Sequence, residues 1–235
     1  MGWLEKIVFV VMAIGLLGVA TALAQPIGVE EIDPVSSSRF NDTTTPTGVD
    51  AQAGNVTELS INATSVTRTW AGFYGNITGR LILANSAGQN FYDWNVSTPS
   101  GQVYASRNDS VVWTSVQCLN ATEITAENTY LNRTATDPDS LDSTFADTNH
   151  PSFFVGTENI SGCPTTQAYS DGGTQSSQFW QALLSDTTNV IYTTIIEDTT
   201  PAGFDGNPWH FQLLVGENGH ETPGTTPYYF YVELT

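Results

Sequence analysis

The chain has 235 residues, of which 24 are acidic and 6 basic, for a formal net charge of −18. Such a balance excludes nucleic acid and anionic membranes as main partners, because neutralising phosphates takes clusters of Lys and Arg. It favours solubility, cation binding and tolerance of salt.

Residues 1–24 fall into three zones: a short start with Lys6, an apolar run from Ile7 to Val19, and Ala22-Leu23-Ala24 ahead of Gln25. That order is the signature of a cleaved secretory signal peptide. The apolar run is shorter than the roughly 20 residues needed to span a bilayer, and a retained anchor would have to recruit Trp3, Leu4, Ala20 and Leu23. A pilin-type signal would want a basic-small pair before the run, where only Met-Gly precedes Trp3. Cleavage removes Lys6 and Glu5, leaving the charge at −18 and Arg39, Arg68, Arg80, Arg107 and Arg133 as the basic residues. The mature form is then expected to have no membrane span.

Residues 25–54 are polar and broken by Pro26, Pro34 and Pro46, so an extended segment is expected, with a strand over Val29 to Val35. From Asn55 to the end one β-sandwich domain is expected. Val56 to Ala63, Ser65 to Trp70, Arg80 to Ala84, Asn90 to Val96, Gln102 to Ser106 and Ser110 to Val116 read as short strands with turn chemistry between several of them. Their spacing predicts a mainly β, antiparallel sandwich of Ig-like or jelly-roll-like type. Glu123 to Asn132 and Ser140 to Ala146 read as short helices, and Gln178 to Leu184 as a third, with Phe179, Ala182 and Leu183 on one face. Asn189 to Ile196, Trp209 to Val215 and Tyr228 to Leu234 are the strongest strand signals in the chain.

Cys118 and Cys163 are the two cysteines and lack C-x-x-C spacing. In an exported chain they predict one disulfide, worth roughly 3–4 kcal/mol through loop closure. Nine N-x-S/T sequons occur, at Asn41, Asn55, Asn62, Asn76, Asn95, Asn108, Asn120, Asn132 and Asn159. Composition alone would give roughly three or four, so covalently attached glycans on exposed backbone are expected. The sequon-free stretch from Gly162 onward is a candidate for packing against a neighbouring subunit or the cell wall.

Trp70, Phe73, Tyr74, Phe91, Tyr92, Trp94, Trp113, Trp180, Trp209 and the Tyr228 to Tyr231 run suit a sandwich core better than a sugar-stacking face. Alternation puts Tyr92 and Trp94 together, as a core requires. Asp137, Asp139 and Asp142, with Asp147, offer closely spaced oxygen ligands of the kind Ca²⁺ takes, although the glycine and final Glu of an EF-hand loop are missing. Asp198, Asp205 and Asn207 form a weaker candidate. His150, His210 and His220 show no H-x-x-x-H spacing, and no nucleophile elbow, P-loop, dinucleotide fingerprint or haem motif appears. Structural roles for the histidines and a solvated acidic loop are the competing readings.

Trp70-Ala-Gly-Phe-Tyr-Gly-Asn-Ile-Thr-Gly79, Phe91-Tyr-Asp-Trp94 and Tyr228-Tyr-Phe-Tyr-Val-Glu-Leu234 resemble segments of secreted, glycosylated archaeal cell-surface proteins. The resemblance implies surface location and a structural or adhesive role, with a filament or pilus subunit as one form of it; it transfers no catalytic residue. On that reading the chain is a homo-oligomer or filament of itself. Val29, Ile32 and Val35 would be the donor-strand side chains entering a neighbour. A carbohydrate-binding adhesin is the alternative. A secreted glycoside hydrolase is the second, needing two carboxylates ~5–9.5 Å apart in a cleft.

Overall fold

The computed structural model describes residues 25–40, 45–171, 173–218 and 225–235. The signal-peptide reading of 1–24, the sequon at Asn41 and His220 lie outside them. The fold is mainly β with every strand pair antiparallel. Strands are β1 (Ile27–Gly28), β2 (Trp70–Gly75), β3 (Gly79–Ala84), β4 (Asn90–Val96), β5 (Gly101–Ser106), β6 (Gln117–Cys118), β7 (Phe153–Val155), β8 (Glu158–Ile160), β9 (Thr165–Ser170), β10 (Thr174–Ser185), β11 (Val190–Ile195), β12 (Phe211–Gly216) and β13 (Tyr229–Leu234). Two helices, α1 (Ala121–Tyr130) and α2 (Leu141–Thr144), lie between β6 and β7.

A seven-stranded sheet organises the molecule in the order β1-β13-β5-β11-β10-β6, with β9 on the same edge of β10 as β6. Both faces of this sheet are covered. Tyr104, Ala182, Leu184 and Ile191 point to one side, under Val111, Trp113, Val116 and the β7–β8 hairpin residues Phe153, Val155 and Ile160. Their chain neighbours Ala105, Leu183 and Tyr192 point to the other, under Leu213 and Val215 of the β2–β12 ribbon and under Leu131, Leu141 and Phe145 around the helices. The stack is sandwich-like, with the ribbon as second layer. Double coverage explains why all six residues of β5 are buried although its sequence, GQVYAS, shows no apolar run.

The two helices form where expected. Asn120 caps α1: its side chain accepts from the Thr122 and Glu123 amides, and Glu123 returns a bond to the Asn120 amide. This is a capping box. The third expected helix is instead the C-terminal half of β10. Its backbone pairs with β9 and β11 on its two sides, and Phe179, Ala182, Leu183 and Leu184 are buried on opposite faces, which a one-faced helix cannot achieve. Tertiary pairing overrides the local preference. Ser110 to Val116 forms a 3₁₀ turn at Trp113–Ser115 rather than a strand. Neither Val56 to Ala63 nor Ser65 to Thr69 forms a strand, because no sheet edge meets them. Extended chain therefore continues past Gly54 to Thr69.

The disulfide between Cys118 and Cys163 is present and ties β6 to the entry of β9. The sequon-free stretch supplies β9 to β13, most of the central sheet.

Candidate assembly surface

Asp139 fixes where the extended chain enters the domain. Its Oδ2 accepts hydrogen bonds from the Thr67 and Thr69 hydroxyls at 2.9 and 2.8 Å, its carbonyl accepts from the Trp70 indole, and its Oδ1 lies 3.2 Å from Arg133 Nε. Burial opposes the charge, but the Thr69 and Thr67 bonds and Arg133 hold the carboxyl below its ordinary value. Upstream of this clamp the described residues between β1 and β2 carry no helix or strand. Ile32, Phe40, Val49, Leu59 and Ile61 are exposed there, Val35 to 95% and Val56 to 100%.

At its far end this tether returns to the sheet. Ile27 pairs with Val232 and Gly28 with Tyr231, and the Val29 amide donates to the Phe230 carbonyl at 3.4 Å. Among the expected donor residues only Val29 touches a strand, and it does so through its backbone; Ile32 and Val35 stand in solvent. The strand expected over 29–35 is shifted to Ile27–Gly28; in this register β13 begins at Tyr229, opposite position 30, and offers no strand to residues 31–35.

The β3–β4 hairpin is a second unpartnered element. It forms a two-stranded sheet of its own, with Leu81 opposite Trp94 and Leu83 opposite Tyr92. All four side chains are about half exposed, and the Tyr92 and Trp94 rings lie 4.7 Å apart. These two aromatics are therefore not core, correcting the expectation from their alternation. The opposite face carries Arg80 and Asp93 as an exposed ion pair, the exposed Ile82 and the sequon residue Asn95. Any glycan on the hairpin would leave its apolar face clear.

All eight described sequon asparagines are exposed. Asn120 also caps α1, and Asn108 accepts from the Ser110 amide.

The expected Ca²⁺ ligands do not converge. Asp137 caps the Thr134 amide, Asp139 clamps the tether, Asp142 accepts from Asn128, and Asp147 accepts from the Thr148 and Asn149 amides. Among the described residues no group of three or more His, Cys, Asp and Glu is gathered to hold an ion. Each carboxylate already has its own donors: Asp137 and Asp147 in their own turns, Asp139 from Thr67 and Thr69, and Asp142 from Asn128 on α1. Asp205 likewise binds Asn207 and the Trp209 indole. His150 Nε2 accepts from the Cys163 amide and His210 Nδ1 from the Ile77 amide, so both serve structure.

A cleft of about 210 Å³ lies between α1 and the turn before β11, lined by Arg107, Glu123, Glu127, Tyr130 and Asn189 among others. Its carboxylates are committed. Glu127 holds Arg107 and the Tyr192 hydroxyl, while Glu123 accepts from Ser185 and from the Asn120 amide. Among the described residues, no helix is long and apolar enough to cross a membrane. Among the described residues, the tether and hairpin both carry large apolar side chains that the fold leaves in solvent. Alternation along Arg80 to Ala84 and Asn90 to Val96 could have paired Leu81 and Leu83 with Tyr92 and Trp94, but not exposed them. Compared with protein-family models, curated proteins and solved structures, the chain matches none.

Proposed function

We propose that the protein is a structural or adhesive subunit of the cell exterior, glycosylated and assembled with copies of itself through β-strand addition. The observation that carries this reading is the unpartnered apolar surface. A tether exposes Val35, Val56 and Ile61 almost fully, and a hairpin presents Leu81, Leu83, Tyr92 and Trp94 without a covering layer. Isolated two-stranded hairpins are marginal in water, and contiguous exposed apolar residues mark interaction sites. Exposed sequons and a disulfide suit an extracellular setting. Electron microscopy of the native protein, with light scattering on the purified chain, tests it. Regular particles or filaments are the expected result, and a monomer at all concentrations would overturn it.

A second reading rests on the adjacent, half-exposed Tyr92 and Trp94 rings, which suit stacking on a sugar. A glycan array probed with the wild type and Trp94→Ser tests it. Binding lost in the variant would support a carbohydrate-binding adhesin, and no binding by either would remove it.

A further inference from the structure

From the observed β1–β13 pairing we infer that β1 is an exchangeable strand, placed by each copy on the β13 edge of the next. The inference rests on the subunit reading above and names its donor, its acceptor and its register. β13 is paired along its whole length with β5 on one side, while on the other it meets the two residues of β1 and the Val29 amide. The rest of that edge is a template for strand addition. Ile27 and Val29 fall on the same face as Phe230 and Val232, the face on which Phe73 packs edge-on against Phe230.

Tether length makes exchange geometrically free. About 40 residues separate β1 from β2, and a chain of that length reaches up to ~130 Å when extended. A domain of this size is roughly 40 Å across, so the edge of an adjoining copy lies well within reach. The same backbone bonds form with either copy. The linked strand competes at an effective concentration on the millimolar scale, which falls as the linker lengthens. Copies packed on a surface reach that scale. Exchange also draws the tether across a neighbour, where Ile32, Val35, Val56 and Ile61 gain a surface that the intrachain arrangement does not give them. A chain that gives its β1 away leaves its own β13 edge open to the preceding copy. Passed from copy to copy, the contact is heterologous and propagates as an open series, whereas reciprocal exchange closes a pair.

Mixing two full-length single-cysteine variants, Ile27→Cys and Val232→Cys, at about 1 mM tests the exchange. Ile27 is exposed and Val232 half-buried, and among the described residues no native cysteine is free. Directly opposed positions hold their Cβ atoms close enough for oxidation to bridge them. A reducible heterodimer on a non-reducing gel is expected from the mixture, and a ladder of multimers from the double variant. Ile27→Cys mixed with Tyr229→Cys, out of register by three positions, should give none. Monomer alone, with or without an internal bond in the double variant, overturns the inference, as does equal cross-linking at the out-of-register pair. Native filaments without the heterodimer would overturn strand exchange and leave the subunit reading standing. A heterodimer without native assemblies would do the reverse.

Discussion

Arg107 donates through Nη1 and Nη2 to the two carboxylate oxygens of Glu127, each at 2.5 Å, and so fastens the end of β5 to α1. The Tyr192 hydroxyl donates to the same carboxylate at 2.6 Å, and the guanidinium lies 4.1 Å from the Tyr130 ring centre. Burial and then the neighbouring Glu127 charge push the Tyr192 hydroxyl well above its ordinary value, keeping it a donor. Glu127 is almost fully buried while Arg107 keeps an edge in solvent. Glu127→Ala should therefore cost about 3–5 kcal/mol, since it strands a partly buried charge. The Arg107→Met/Glu127→Leu double variant should cost much less than the single one. Chemical denaturation of the three chains measures the coupling, and a loss below ~1 kcal/mol for Glu127→Ala would contradict this account.

Asn120 has two separable duties, as a sequon residue and as the cap of α1. Thr122→Ala and Asn120→Asp both destroy the sequon, but each leaves an oxygen to accept from the Thr122 and Glu123 amides. Asn120→Ala removes the oxygen as well. Its thermal midpoint should drop by the equivalent of about 1 kcal/mol, while the other two stay within a few tenths of the unglycosylated wild type. Mass spectrometry of the secreted chains reports the sugar independently, so the cap and the glycan are measured apart.

Stability should peak in mildly acid solution. Burial raises the Glu233 carboxyl above its ordinary value of 4.5, against bonds from the Gly156 amide and the Tyr104 hydroxyl that lower it. Burial also raises Glu197, with Asp198 adding repulsion. Groups raised in this way contribute stability that is complete below about 4.5 and is lost as pH rises through their folded values. Asp139 and Asp186 have the opposite sign. Burial opposes their charge, yet hydrogen bonds hold both below 3.8, so their contribution is present above 3.8 and disappears only in stronger acid. The melting temperature should fall as pH rises above about 4.5, and Glu233→Gln should flatten that fall. An unchanged slope in the variant would remove Glu233 as its source.

Sequence patterning carried the β class, both helices and six of the thirteen described strands, because turn chemistry and β-branched or aromatic runs are local signals. It failed where burial is decided by distant chain. β5 offers Gln102 and Ser106 to a doubly covered sheet, and β10 buries Phe179, Ala182, Leu183 and Leu184 between two neighbours. No local period encodes either. Asp137, Asp139 and Asp142 illustrate the same limit at the scale of a site: their spacing suited a cation, but Asp137 caps its own turn while Asp139 and Asp142 take donors from Thr69 and Asn128. Tyr92 and Trp94 share a face as alternation requires, yet alternation cannot say whether a second layer lies above that face.

On the hairpin, stability and assembly should part company. Leu83 faces Tyr92 and Leu81 faces Trp94, but this sheet shares no strand with the main one, and its side chains remain about half in water. Replacing Leu83 or Trp94 by Ser therefore removes little that the monomer buries, and the melting temperature should move by the equivalent of no more than about 0.5 kcal/mol. If the face is covered in the assembly, each substitution should raise the concentration needed to assemble about tenfold, the equivalent of roughly 1.4 kcal/mol per contact. Asn95→Gln on the opposite face serves as the control and should leave that threshold unchanged. Sedimentation velocity over a concentration series reads all four chains together. Equal thresholds for wild type and Trp94→Ser would take the hairpin out of the interface, and a large loss of stability would make it part of the folded core.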